Sequence, residues 1–252
     1  MPRSDGALVA RERRGDVEVI RLADPPLNLL GTPMIAALIE AFSSIAADPP
    51  RAVVLFCAGG GADVREMVSF DERSARIFIT ALHTACRGIR DLDAPVIAAV
   101  AGPCLGAHLE VAAACDMRVA SEEARFGMPE VKVGIPSVID AWWLAQICGL
   151  GNASSLVFDG EMIDAAEAYR IGLVNRVAAG PELEGAAIGW GTDIARSAPS
   201  ALVQQKRVLR DWTDEPYLEG ARRSIERLVH AVRSGQAKEA MRAMLEKRPP
   251  HY

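Results

Sequence analysis

As far as Pro181 the chain alternates between short apolar runs and longer stretches of mixed character, and beyond it only a helical period remains. Ala7 to Ala10 and Val17 to Leu22 are β-rich runs either side of the charged Arg11 to Asp16, a pattern that predicts a hairpin. Pro25 and Pro26 break the chain. From Pro33 to Ala46 the apolar positions Met34, Leu38, Ala41, Phe42 and Ile45 fall on one helical side. Ala52 to Phe56 predicts a short buried strand, ended by Gly59-Gly60-Gly61, and Arg73 to Leu92 a long amphipathic helix. Pro95 to Val100 is a second apolar strand, stopped by Gly102-Pro103. Leu105 to Ala114 is apolar and helical except at Glu110. Met117 to Ala120 and Leu173 to Val177 predict strands; Val138 to Cys148 and Ala165 to Ile171 predict helices. Helical segments then start near Pro199 and Asp214 and end at Pro249. Strands that alternate with helices argue for an α/β core with helices outside.

The 252 residues, 50% apolar and 24% charged, have an ordinary globular balance. A chain of this length buries enough surface to need no disulfide staple. The net charge of -5 gives no basic stripe for nucleic acid. The five cysteines are odd in number and match no zinc or paired-thiol spacing, which suits reduced core thiols in a cytoplasmic protein. Met1 to Gly15 is charged and lacks the apolar segment of a leader peptide. The apolar stretches are too short and too often interrupted to span a bilayer, so no membrane partner is expected.

Three segments carry candidate chemistry. At Gly61-Ala62-Asp63 a strand runs through glycines into a helix start, where free N–H groups can hold an anion or a developing oxyanion. It is neither a dinucleotide fingerprint nor a phosphate-binding loop, since GxGxxG and a following GK[ST] are both absent. In the second segment, Cys104 to Glu110, the small residues Gly106 and Ala107 leave backbone N–H groups accessible, and Glu110 lies one turn beyond Gly106. A carboxyl group in so apolar a helix needs a partner or a raised pKa, and a raised pKa suits acid–base work. The third, Phe126 to Pro136, is a loop between Gly and Pro residues that carries Glu130.

Taken together, "GADVREM", "PVIAAVAGPCLGAHLEVAAACDMRVAS" and "ARFGMPEVKVGIPS" resemble, in order and separation, the central signature of the crotonase, or enoyl-CoA hydratase/isomerase, family. The likeness continues through "AAEAYRIGLVNRV" and "AMRAMLEKRPP" and so covers nearly the whole chain. It implies a spiral of ββα units in residues 1–195 that carries the active site. A C-terminal helical region, 196–252, would serve oligomerisation as a homotrimer or dimer of trimers. It also implies an acyl-CoA thioester as substrate, with no cofactor besides. The Ala62 and Ala107 N–H groups match the family's oxyanion hole, although Gly is usual where Ala107 stands. Glu110 and Glu130 match the two hydratase carboxyls. Syn addition of water to a 2-enoyl thioester needs a base at the water and an acid at C2, and the roles expected are Glu110 as base and Glu130 as donor.

The chain departs from the family in four places. The loop before Gly61 is a few residues short. Ser137 replaces a glycine associated with the active-site water, and Asp140 adds a third carboxyl nearby, which keeps double-bond isomerisation or decarboxylation through Asp140 as alternatives. The early basic residue that meets coenzyme A phosphates is missing, leaving Arg65 and Lys247, the latter reaching across from a neighbouring subunit, as candidates. His108 stands where Gly is frequent and either tunes Glu110 or faces away, since neighbouring helical positions diverge by about 100°. His83, His230 and His251 form no cluster, and no metal site is expected. A non-catalytic acyl-CoA-binding trimer is the reading from another class. Val68 to Phe78 and Ala141 to Leu144 are the candidate pocket stretches.

Overall fold

Short apolar strands with a core on each face decide the architecture. In a computed structural model, which describes residues 7–252 apart from the side chains of Tyr217 and Leu218, β1 (Val9–Arg14), β2 (Val17–Leu22), β3 (Ala52–Phe56), β4 (Val96–Val100), β6 (Met117–Ser121) and β9 (Arg176–Ala178) form one sheet. Its order is β1-β2-β3-β4-β6-β9, antiparallel at β1/β2 and parallel elsewhere. Both faces are covered, so β3 and β4 read as continuous apolar runs. Val53 and Leu55 enter the larger core beneath α1 (Thr32–Ala47) and α3 (Glu72–Asp91), while Val54 packs with Leu183 and Ala187 of α8 (Leu183–Ala195) on the other face.

A second sheet of three short strands, β5 (Pro103–Leu105), β7 (Arg125–Gly127) and β8 (Ile163–Asp164), completes the spiral, with β7 in the middle. In chain order α2 (Val64–Met67) follows β3 and α4 (Ala107–Ala114) follows β5; α5 (Trp142–Cys148), α6 (Leu150–Asp159) and α7 (Ala165–Arg170) come later. Every residue of α4 is buried, the polar His108 and Glu110 included. The tail is α9 (Pro199–Asp214), α10 (Tyr217–Arg233) and α11 (Gln236–Leu245). Lys206 anchors α9: its buried ammonium pairs with Asp116 and donates to the Ala94 carbonyl at 3.3 Å.

Two expectations about elements are corrected. The charged Arg11 to Arg14 do not form a loop but continue β1, which turns at Gly15-Asp16. β1 is the sheet edge, where charged side chains reach water, and Arg11 pairs across the strands with Glu18 at 2.8 Å. The last strand is not Leu173 to Val177 but Arg176–Ala178; Leu173 and Val174 are buried in the turn before it. The N-terminal reading of Met1 to Gly15 falls in part on residues 1–6, outside the described residues. Among the described residues, no helix is long and apolar enough to cross a membrane, and Cys57, Cys86, Cys104, Cys115 and Cys148 are buried free thiols.

Candidate active site

Two chain segments leaving neighbouring parallel strands meet at the site. β3 runs out through Gly59-Gly60-Gly61, and β4 continues through β5 into α4. They are stitched together at Gly59, whose N–H donates to the Pro103 carbonyl at 2.6 Å and whose carbonyl accepts the Leu105 N–H at 3.3 Å. Further along, Leu30 donates to the Gly61 carbonyl at 3.0 Å and accepts the Asp63 N–H at 3.3 Å. This is a parallel bridge centred on Ala62, so Ala62's own N–H points away from Leu30. Asp63 then caps α2 by accepting the Arg65 N–H at 3.0 Å. On the other segment Ala107 is the first residue of α4, whose N–H has no acceptor within the helix. Gly106 before it has φ 51°, and a side chain there would meet Glu130 Oε1 at 2.6 Å.

A cavity of about 290 Å³ opens beside these amides. Gly61, Ala62, Gly106 and Ala107 form one wall with Glu110 and Glu130; Val64, Met67, Phe78, Ile79, Leu82 and Val138 supply an apolar remainder. The two carboxyls, twenty positions apart in sequence, therefore face one space. Glu110 is 4% exposed, and the Ala141 N–H donates to its Oε1 at 3.2 Å. Burial, then the neighbouring charge of Glu130, pushes its pKa up to about 8, against the lowering effect of the Ala141 bond; Asp140 adds a smaller upward push. Glu130 sits at the start of a 3₁₀ turn, Pro129–Val133, and accepts the Ser137 hydroxyl at 3.0 Å. Ser137, noted from sequence only as a replaced glycine, thus holds one carboxyl. The Ala141 amide, which holds the other, was not foreseen.

Asp140 is brought near the site but not into the cavity. Its buried carboxylate accepts the Trp143 indole N–H at 3.0 Å and meets His83 Nδ1 at 2.8 Å. His83, on α3, was read as isolated; 57 positions separate it from Asp140, and no local pattern joins them. Just before Asp140, Ile139 has φ 42°, a conformation that costs a β-branched residue about 1–3 kcal/mol. The strained turn aims the Ala141 N–H at Glu110. Of the two pocket stretches expected, Phe78 lines the cavity, whereas none of Ala141 to Leu144 does. Trp143 lies instead under the Arg90 guanidinium, 3.3 Å from ring centroid to Cζ, and Trp142 is half exposed.

His108 does not face Glu110. Its ring is fully buried, and Nδ1 accepts the Gly61 N–H at 3.2 Å. Burial pushes its pKa down to about 4, so the imidazole is neutral. Arg65, next to the cavity-lining Val64 on α2, is 81% exposed and paired with Asp63 at 3.1 Å. Lys247 is exposed beyond α11 and away from the cavity lining. Among the described residues no three His, Cys, Asp or Glu side chains gather as metal ligands would.

A family model described as enoyl-CoA hydratase/isomerase matches residues 12–252 of the chain. The short-chain-enoyl-CoA hydratase of Clostridium acetobutylicum is 33% identical over 248 residues, covering 95% of both chains. The cyclohexa-1,5-dienecarbonyl-CoA hydratase of Thauera aromatica is also 33% identical, covering 96% of this chain and 94% of its own. Among solved structures, an enoyl-CoA hydratase from Bacillus anthracis superposes with a TM-score of 0.92 at 27% identity, over 97% of this chain and 98% of that one.

Proposed function

The chain belongs to the enoyl-CoA hydratase/isomerase family, and from that premise we propose that it adds water reversibly and in syn fashion to a 2-enoyl-CoA thioester. The observation that carries the reading is the convergence of two carboxyls and two segment-end amides on one apolar cavity. The thioester oxygen lies between the Ala62 and Ala107 N–H groups. Glu110 takes a proton from water as the water oxygen bonds C3; the C2=C3 electrons move to the thioester oxygen as an enolate; Glu130 then protonates C2, leaving a 3-hydroxyacyl thioester. Each hole donor stabilises the enolate by about 2.7–4 kcal/mol, by the cost of losing one in other enzymes. The chemistry consumes no redox equivalents and needs no cofactor besides the thioester.

A base is most effective when its pKa lies near the working pH. An ordinary carboxylate is a weak base toward water; one pushed up to about 8 is a much stronger one. That supports Glu110 in the role. Double-bond isomerisation needs only one proton-shuttling carboxyl, so the pair favours hydration. Asp140's engagement with His83 and Trp143 leaves it poorly placed for decarboxylation. The two relatives hydrate acyl groups of different shape at equal identity, so the acyl group is left open. We further propose that Arg65 turns from Asp63 to the coenzyme A phosphates, that Lys247 serves a neighbouring subunit of a trimer, and that the protein works in the cytoplasm, where its five thiols stay reduced.

The test is turnover of 2-enoyl and 3-enoyl thioesters of graded chain length. Hydration of a 2-enoyl thioester is expected, with Glu110→Gln lowering kcat by about 10²–10⁴-fold. Isomerisation without hydration, or full hydratase activity in Glu110→Gln, overturns the reading.

A further inference from the structure

The short Gly59-Gly60-Gly61 loop has to deliver one oxyanion donor, and something other than its own length must hold it. Its ends are tied to backbone: Gly59 to Pro103 and Leu105, and the Gly61 carbonyl to Leu30. Between those ties the Gly61 N–H is buried, and its acceptor is a side chain, His108 Nδ1 at 3.2 Å. The ring also lies against the loop at Gly59. A Cβ at Gly59 would lie 2.4 Å from His108 Nε2, so glycine there is what admits the imidazole. Nε2 is buried and has no hydrogen-bond partner among the described residues. The Nδ1 contact is therefore the polar anchor of the ring. The His108 carbonyl in turn accepts the Cys57 thiol at 3.3 Å, tying the end of β3 to α4.

We propose that His108 is a positioning residue for the oxyanion hole: by accepting the Gly61 N–H it fixes the orientation of the residue from which the Ala62 N–H is offered to the thioester oxygen. The inference rests on the hole assigned above. It follows from covalent geometry. Gly61 is held at φ 93° with its N–H on His108 and its carbonyl on Leu30. Fixing both polar groups of one residue leaves the next amide little freedom. His108 is also the immediate neighbour of Ala107, so one turn of α4 sets both donors relative to each other. Without an acceptor at Nδ1, a buried N–H is left unsatisfied and the loop turns to find another partner. The Ala62 amide then moves with it. Misplacement by about 1 Å costs up to about 100-fold in rate.

Two substitutions with the same branching, one carrying an acceptor and one not, separate anchoring from packing. His108→Asn places an amide oxygen close to where Nδ1 lies; His108→Leu fills the space and offers no acceptor. Where the leucine variant does not fold, His108→Met replaces it, because its unbranched chain adapts to the cavity. The readouts are kcat and KM on a 2-enoyl thioester, thermal unfolding, and the near-ultraviolet absorbance of acetoacetyl-CoA bound as its enolate. That last signal needs the hole but no water addition. His108→Leu is expected to lose about 10- to 100-fold in kcat and most of the enolate absorbance, with KM nearly unchanged. His108→Asn is expected to recover both to within a few-fold. Equal losses in the two variants, or an undiminished enolate signal in His108→Leu, would overturn the proposal. A wild-type protein that binds the enolate but adds no water defeats the hydratase reading and leaves this inference standing. A wild-type protein that shows no enolate signal defeats this one.

Discussion

Glu110 sits where ionisation is costly, and that cost has a pH signature in both rate and stability. In the unfolded chain its carboxyl loses its proton near the ordinary value of 4.5; in the fold it holds the proton up to about 8. Between those limits the unfolded state binds fewer protons at this position, so the group's contribution to stability is full below about 4.5 and is lost as pH rises toward about 8. Glu110→Gln removes the titration and keeps an oxygen for the Ala141 N–H. The variant is expected to melt close to wild type at pH 4.5 and to be more stable at pH 8.5, by a few kcal/mol at most. Equal differences in melting temperature at the two pH values would sink the argument. In the wild type, kcat/KM is expected to climb until about pH 8 and level off if Glu110 is the base; a fall through that pH would make it the donor. This residue was legible in sequence, because a lone carboxyl in an apolar helix is conspicuous. Glu130 was not, since a Glu in a Gly- and Pro-rich loop looks solvated, and only the family likeness singled it out. Asp140's partner could not be read at all.

Long amphipathic elements were legible for the same physical reason. α3 repeats its apolar positions over five turns and opens with a reciprocal cap between Asp71 and Ser74, so its limits were predicted to within one residue at each end. The second sheet left no such trace: β5, β7 and β8 are two or three residues long, too short for any period to register. Lys206 carries no signal in the sequence, because a lysine in an amphipathic helix is ordinarily solvated. It is instead 5% exposed, against Asp116 and the carbonyls that end α3 and precede β4. Removing one member of a buried ion pair costs about 3–5 kcal/mol, since the other is left uncompensated. Asp116 keeps some contact with water, so Lys206→Ala is expected near the lower end, as a lower midpoint of urea unfolding. Adding Asp116→Asn should restore part of the loss, because its amide oxygen can still accept the Val96 N–H that Asp116 now holds at 2.7 Å. If the double variant is less stable than the single one, the ion pair is not what ties α9 to the core.

At the scale of the whole molecule, the sheet faces are closed but the tail is not. Trp212 of α9, Ile225 and Leu228 of α10, and Met241, Met244 and Leu245 of α11 are each more than half exposed. Periodicity alone could not separate such a face from one that packs on its own core, because both repeat at helical spacing. Scattered apolar residues need no explanation, but this many on three consecutive helices suit the trimer proposed above. A second and third copy of the same chain would cover them, as expected for residues 196–252 from the family likeness. The net charge of -5 per chain is too small to prevent such association. Sedimentation equilibrium should therefore give three times 27.0 kDa, about 81 kDa, or a multiple of it. Ile225→Glu with Leu228→Glu places two charges one helical turn apart on α10 and should shift the mass toward that of a single chain. Among the described residues, the candidate cavity draws no lining from α9, α10 or α11. A dissociated chain that still folds should therefore keep kcat and, if Lys247 serves a neighbour, bind the coenzyme A thioester less tightly. A rise in KM at constant kcat would place part of the coenzyme A contact across the subunit boundary; unchanged KM would confine the whole site to one chain.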